Sequence, residues 1–234
     1  MSQDVLYADY RFIGKHRPVA DGATVDGPWT KKVTAAGGAP TVQSNAGLME
    51  LALEATSEVQ NICLYWGDEL GLLIDQLISI DIWAKITASL PAAVTASFGL
   101  AAARNDTPSS IAQHLLWQLA GDNTVKLLGK DGTHTLAATT VGQSLSTTLR
   151  RFQFDFASGI QTIAPPSLSK GGKANVLCAM EQGQGLLRRV LPNTLIDLSA
   201  YAGGFQLLAQ LQKTSGTAVG TLSIERILVG YRQG

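Results

Sequence analysis

The residues able to do chemistry are few and scattered. His16, His114 and His134 each stand without a second histidine or a cysteine nearby, whereas a zinc site needs such ligands at close spacing. No G-x-S-x-G elbow marks a serine nucleophile. The run SLSKGGK, Ser167 to Lys173, imitates a phosphate loop but has Ser167 in place of the first glycine. Ala174 stands where a magnesium-binding hydroxyl is required, so the run is rejected as a nucleotide site. Glu50, Asp81, Asp155 and Glu181 fall on the polar sides of apparent strands. A glycanase needs two carboxylates roughly 5–10 Å apart on one sheet, and no E-x-D or D-x-E places two on one face of one strand. The residues therefore read as no enzyme, with no metal and no cofactor. Trp83 shares a face with Asp81 and has two readings: a platform for a sugar ring, or a cover for a sheet surface or interface.

The elements that carry these residues are strands. Val94, Ala96, Phe98 and Leu100 alternate with small or polar residues, the period of a half-buried strand. A charged excursion follows at Arg104-Asn105-Asp106-Thr107-Pro108, where Asp106 or Thr107 is placed to cap a short turn begun by Pro108. Alternation resumes at Leu115, Trp117 and Leu119. The same grammar gives Met49-Leu51-Leu53, Ile62-Leu64-Trp66, the long run Ile78 to Ile86, and the stripe Phe152-Phe154-Phe156. It continues in Val176-Cys178-Met180, Phe205 to Leu211, and Leu222 to Val229. In the last of these a phase change at Glu225-Arg226 predicts a bulge. Asp131-Gly132 predicts a hairpin. Ten to twelve short strands without a long helix predict two antiparallel sheets face to face, an all-β jelly-roll or lectin-like sandwich.

Residues 1–45 differ in composition, with Asp26-Gly27-Pro28 and Gly37-Gly38-Ala39-Pro40 as punctuation. They are expected to form an extended N-terminal arm, and residues 46–234 the sandwich. Tyr7, Tyr10, Phe12 and Trp29 are costly to leave in water, and Arg11, Lys15 and Arg17 lie among them. With Arg104 and Asp106 they are the candidate contacts to a neighbouring subunit. Two short strands, Val5 to Tyr7 and Tyr10 to Phe12, and a sheet-edge strand through Trp29 to Val33 are the alternative to a free arm.

Apolar residues make up 45% of the 234-residue chain and charged residues 15%, enough for a sizeable core. Eighteen basic residues balance eighteen acidic ones, which argues against nucleic acid as a partner. Cys63 and Cys178 sit inside apparent strands and read as buried thiols. The start lacks a basic and apolar leader, and the most apolar window is broken by Asp75, Asp81 and Lys85, so synthesis in a reducing cytoplasm and no membrane span are expected.

The order of four segments carries a resemblance: LALEATSEVQNICLYWGDEL from Leu51, SFGLAAARNDTPSSIAQHLLWQL from Ser97, LRRFQFDF from Leu149, and the closing stretch from Leu195 to Tyr231. Together they resemble tailed-bacteriophage virion proteins with a lectin-like jelly roll. The resemblance implies a structural subunit, of the capsid decoration or cement type, that binds the major capsid protein and itself as a trimer or dimer on the capsid surface. It carries no catalytic residues. The other reading is a carbohydrate-binding module of a phage fibre or head appendage, using Asp81 and Trp83.

Overall fold

The computed structural model describes residues 5–11, 29–121, 123–156, 173–183 and 185–232. Within them the chain forms two antiparallel sheets of eight strands each, stacked around one apolar core. The front sheet runs β14 (Leu187–Arg189), β13 (Leu177–Glu181), β12 (Arg150–Asp155), β7 (Leu77–Ile86), β16 (Thr221–Arg232), β4 (Leu48–Ala52) and β3 (Thr41–Asn45). β1 (Val5–Arg11) pairs with β16 beside β4. The back sheet runs β11 (Thr135–Ser144), β10 (Thr124–Lys130), β9 (His114–Leu119), β8 (Val94–Ala101), β15 (Gly204–Lys213), β5 (Gln60–Tyr65) and β2 (Thr30–Ala35). The short β6 (Leu72–Leu73) adds to the end of β15.

Strict alternation explains the packing. Ile80, Ile82, Ala84 and Ile86 of β7 and Phe152 and Phe154 of β12 turn inward and meet Phe98 and Trp117 from the back sheet. Phe98 and Phe152 pack edge to face at 4.9 Å, and Trp117 stacks on Phe154 at 5.5 Å, geometries that add to the area they bury. Both cysteines are buried free thiols, and burial pushes the Cys63 thiol up to about 12. The expected bulge is present: the register of β16 against β7 shifts between Ile224 and Arg226.

The division at residue 45 is corrected by the pairings. β1 is one seven-residue strand on β16 rather than two short strands, β2 closes the edge of the back sheet, and β3 pairs with β4. Trp29, 4% exposed, and Tyr10 pack against Trp66 inside the core corner, because aromatic area this large is stabilised by burial in the chain's own sandwich. Trp29 is therefore core, and Tyr10 is half-buried against it. Residues 12–28, with Phe12, Lys15 and Arg17, lie outside the described residues.

The charged excursion also finds an internal role. Residues 102–113 lie across the outer side of the back sheet, with a short 3-10 turn at Pro108–Ser110. Thr107 precedes that turn without a side-chain cap. The Asp106 carbonyl accepts Asn61 Nδ2 at 2.8 Å and Gln210 Nε2 at 2.9 Å. Arg104 pairs with Asp106 and donates to Thr34. Arg104 and Asp106, expected at an interface, fasten this cover to the sheet below.

Candidate functional site

On the outer face of the front sheet, one row of cross-strand neighbours runs through Arg11 (β1), Arg226 (β16), Trp83 (β7), Arg151 (β12) and Glu181 (β13). Arg11 stands opposite Arg226, Arg226 opposite Trp83, and Trp83 opposite Arg151. Four strands about 4.8 Å apart spread the row from Arg11 to Arg151 over roughly 14 Å. The bulge decides its composition. Without the extra residue Glu225 would face Trp83; with it, Arg226 does.

Two residues along each strand lie the counter-charges, on the same face because side chains repeat with period 2. Asp81 accepts Arg151 Nε at 2.9 Å. Asp9 accepts Arg226 Nε and Nη2 at 2.7 and 3.0 Å, and Arg11 Nε at 2.9 Å. Arg226 above all holds the Asp9 carboxyl below the ordinary aspartate range, and burial only partly offsets it. The guanidinium carbons of Arg151 and Arg226 sit 5.2 and 5.0 Å from the Trp83 ring centroid, reaching it from the two strands that flank β7. An open pocket of about 450 Å³ adjoins the ring, lined by Arg11, Ala46, Gly47, Trp83, Glu225 and Arg226.

This face gathers residues that the sequence had assigned to different roles. Arg11, taken as an arm residue, and Trp83, taken as a glycan contact, line one pocket. Tyr7 is exposed on the same face, over Gly230. Asp81 is only 2% exposed, so it orients Arg151 from beneath instead of facing a glycan. Glu50, Asp155 and Glu181 share the face, as their alternation predicted. Glu181 accepts the backbone N–H groups of Arg151 and Gly185, each at 3.2 Å. Arg226 was missed as a site residue; its signal was the phase change itself.

A second cluster joins the β10–β11 hairpin to the segment 195–200. His134 Nδ1 lies 2.9 Å from Asp131 Oδ2, and His134 Nε2 lies 3.8 Å from Asp197 Oδ2. Among the described residues this is the group whose spacing suits a metal ion, and it corrects the reading of His134 as solitary. The Asp131 oxygens, however, already accept the N–H groups of Thr133, His134 and Ala200. That filling fits an internal clasp better than an open ligand set.

No known family's sequence pattern matches the chain, and no curated protein sequence matches it. Solved structures do. A protein of unknown function from Shewanella oneidensis MR-1 superposes with a TM-score of 0.58 at 12% identity, over 99% of this chain and 88% of that one. The exoplasmic/lumenal domain of VIP36, in its Ca2+/Man-bound form, gives 0.57 at 8% identity, over 94% and 88%. The catalytic domain of an endo-1,3-beta-glucanase (laminarinase) from Thermotoga petrophila RKU-1 gives 0.58 at 11% identity, over the whole of both chains. The last likeness overturns the expectation of no enzyme as far as architecture supports it: this fold is shared with a glucanase catalytic domain as well as with lectins. In architecture, the chain is a lectin-like jelly-roll β-sandwich.

Proposed function

We propose that the chain is a carbohydrate-binding protein whose ligand face is the outer side of the front sheet around Trp83. The observation that carries this reading is the row Arg11–Arg226–Trp83–Arg151 beside an open pocket of about 450 Å³. Donors held in place around an aromatic ring on a rigid sheet are the chemistry that selects saccharides by their polar edges. The neighbours with saccharide-related names, VIP36 in its Man-bound form and the glucanase, support the reading at the level of the fold.

The setting we propose is a phage fibre or head appendage, on the strength of the sequence resemblance. Capsid decoration, with the major capsid protein as partner, rests on that resemblance without a feature of this face to support it. A glycan array on the purified protein, repeated with Trp83→Ala, tests the main reading. Binding that vanishes in the variant while its melting temperature holds supports it. Capture on empty shells with no glycan bound would restore the decoration role, and release of reducing ends from a bound glucan would make the face a hydrolase cleft.

A further inference from the structure

We infer that the ligand of the Trp83 face is an acidic saccharide with more than one carboxylate, one held by Arg11 and another by Arg151 about 14 Å along the row; the inference rests on the carbohydrate reading above. The argument comes from which donors are spent and which are not. Arg151 gives Nε to Asp81 and Arg11 gives Nε to Asp9. Their side chains are 33% and 51% exposed, and among the described residues no acceptor is seen on their terminal Nη1 and Nη2 groups. Arg226 differs, since its side edge is consumed by both oxygens of Asp9. The site thus presents two end-on guanidinium forks, the shape that matches a planar carboxylate with two parallel hydrogen bonds.

The ring supports the same conclusion. Stacking of a neutral sugar needs a bare face of Trp83. Arg151 and Arg226 approach that ring from the two flanking strands, at 5.2 and 5.0 Å from its centroid. The indole here orders cations, and the cations are what a ligand meets. Their counter-charges are not equally presented: the Asp81 side chain is 3% exposed, against 33% for Arg151 and 51% for Arg11. Asp9 is 34% exposed, and its one carboxylate is shared between Arg11 and Arg226. Glu225 is the exposed anion lining the pocket, and it opposes an anionic ligand. Its removal is therefore a test particular to this inference.

The experiment is isothermal titration of the whole chain with two matched panels: oligogalacturonate and alginate hexamers, and neutral laminari-, cello- and xylohexaose. A carrageenan hexamer, which carries sulfate and no carboxylate, separates carboxylate from sulfate recognition. The expected result is binding of uronate hexamers only, weakened about tenfold or more by Arg151→Gln and by Arg11→Gln. Arg11→Lys, which keeps charge but loses the fork, should rescue little. Glu225→Gln should tighten binding, and added salt should weaken it. Melting curves of each variant separate lost affinity from lost fold. Neutral hexamers bound as well as uronates, or an unchanged affinity in Glu225→Gln, would overturn the acidic class while leaving the carbohydrate reading intact. Preference for the sulfated hexamer over both uronates would overturn carboxylate recognition. No binding to either panel would overturn both readings.

Discussion

Asp9 and Arg226, 217 residues apart, close a bidentate pair at 2.7 and 3.0 Å that ties the first described strand to the last. The pair bears on fold and site together, because Arg11 and Arg226 both line the pocket beside Trp83. Asp9→Asn should cost only about 0–1 kcal/mol of global stability, since the pair is partly solvated. It should nonetheless weaken glycan binding and speed amide exchange in residues 5–11. The depressed Asp9 carboxyl sets the pH sense. Its contribution is present above the ordinary aspartate range and is lost as pH falls through its lowered value. In the native protein, protection of β1 should therefore fall on acidification below about pH 4, and the Asn variant should show no such step. Equal protection in both proteins at every pH would show that backbone pairing alone seats β1.

The aromatic centre makes the second prediction. Phe154 is fully buried, stacked on Trp117, and Gly99 lies against its ring. Phe154→Ala should destabilise the fold by about 3–5 kcal/mol in denaturant melts. Gly99→Ala acts differently. A Cβ there would collide with the Leu115 carbonyl oxygen, on a residue with φ of 146°. At least about 2 kcal/mol of loss is expected. A variant as stable as the parent would mean that β8 and β9 can shift apart without cost.

These cases also show what the sequence could reveal. Period-2 alternation identified β7, β12, β15 and β16 and the inward side of each, because one face of every strand meets the core. The bulge was legible because it broke the phase. Pairing across long separations was not: nothing local in VLYADYR says that its partner is β16. Hence Arg11 and Trp83 looked unrelated until the two strands were joined. Composition misled at residues 29–45, where glycine and proline mark the connections between β2, β3 and β4, not an arm. Alternation alone did not reveal that the polar side of β15 is covered too. Gln206 and Gln210 are both buried although polar, Gln210 beneath the 102–113 cover, with Gln206 bonded to Asp68.

Lys213 shows how far that burial goes. At 1% exposed it is among the largest fully buried side chains, and its Nζ donates to the carbonyls of Glu54 and Thr56, both at 2.6 Å. The ammonium fastens the segment after β4 to the end of β15. Lys213→Met keeps the aliphatic stem but strands two carbonyls, so a loss of about 1–3 kcal/mol is expected. Exchange should rise first in residues 53–59. A melt unchanged by the substitution would show that solvent takes over both carbonyls without penalty.

The last prediction concerns His134. Its Nδ1 faces the Asp131 carboxylate, whose oxygens already take three backbone N–H groups, so Nδ1 must be the donor. Nε2 is left facing Asp197 at 3.8 Å. The hydrogen bond to Asp131, chiefly, and then the nearby carboxylates raise the imidazole above its usual range. Burial alone would push the Asp131 carboxyl up; its donors outweigh that and bring it to about 2. The two shifts give opposite pH senses. A raised histidine contributes fully below its unfolded value of about 6.5 and loses that contribution as pH rises through its folded value. A lowered aspartate contributes above about 3.9 and loses it as pH falls toward 2. The clasp between the β10–β11 hairpin and the 195–200 segment should thus be tightest between about pH 4 and 6.5. Amide exchange across residues 195–200, corrected for intrinsic rates, should be slowest in that window. The imidazole resonance should titrate above 6.5, and Asp197→Asn should lower its midpoint. A midpoint at or below the free-histidine value, with exchange indifferent to pH, would show that the imidazole is neutral there and that the backbone donors to Asp131 hold the two segments together.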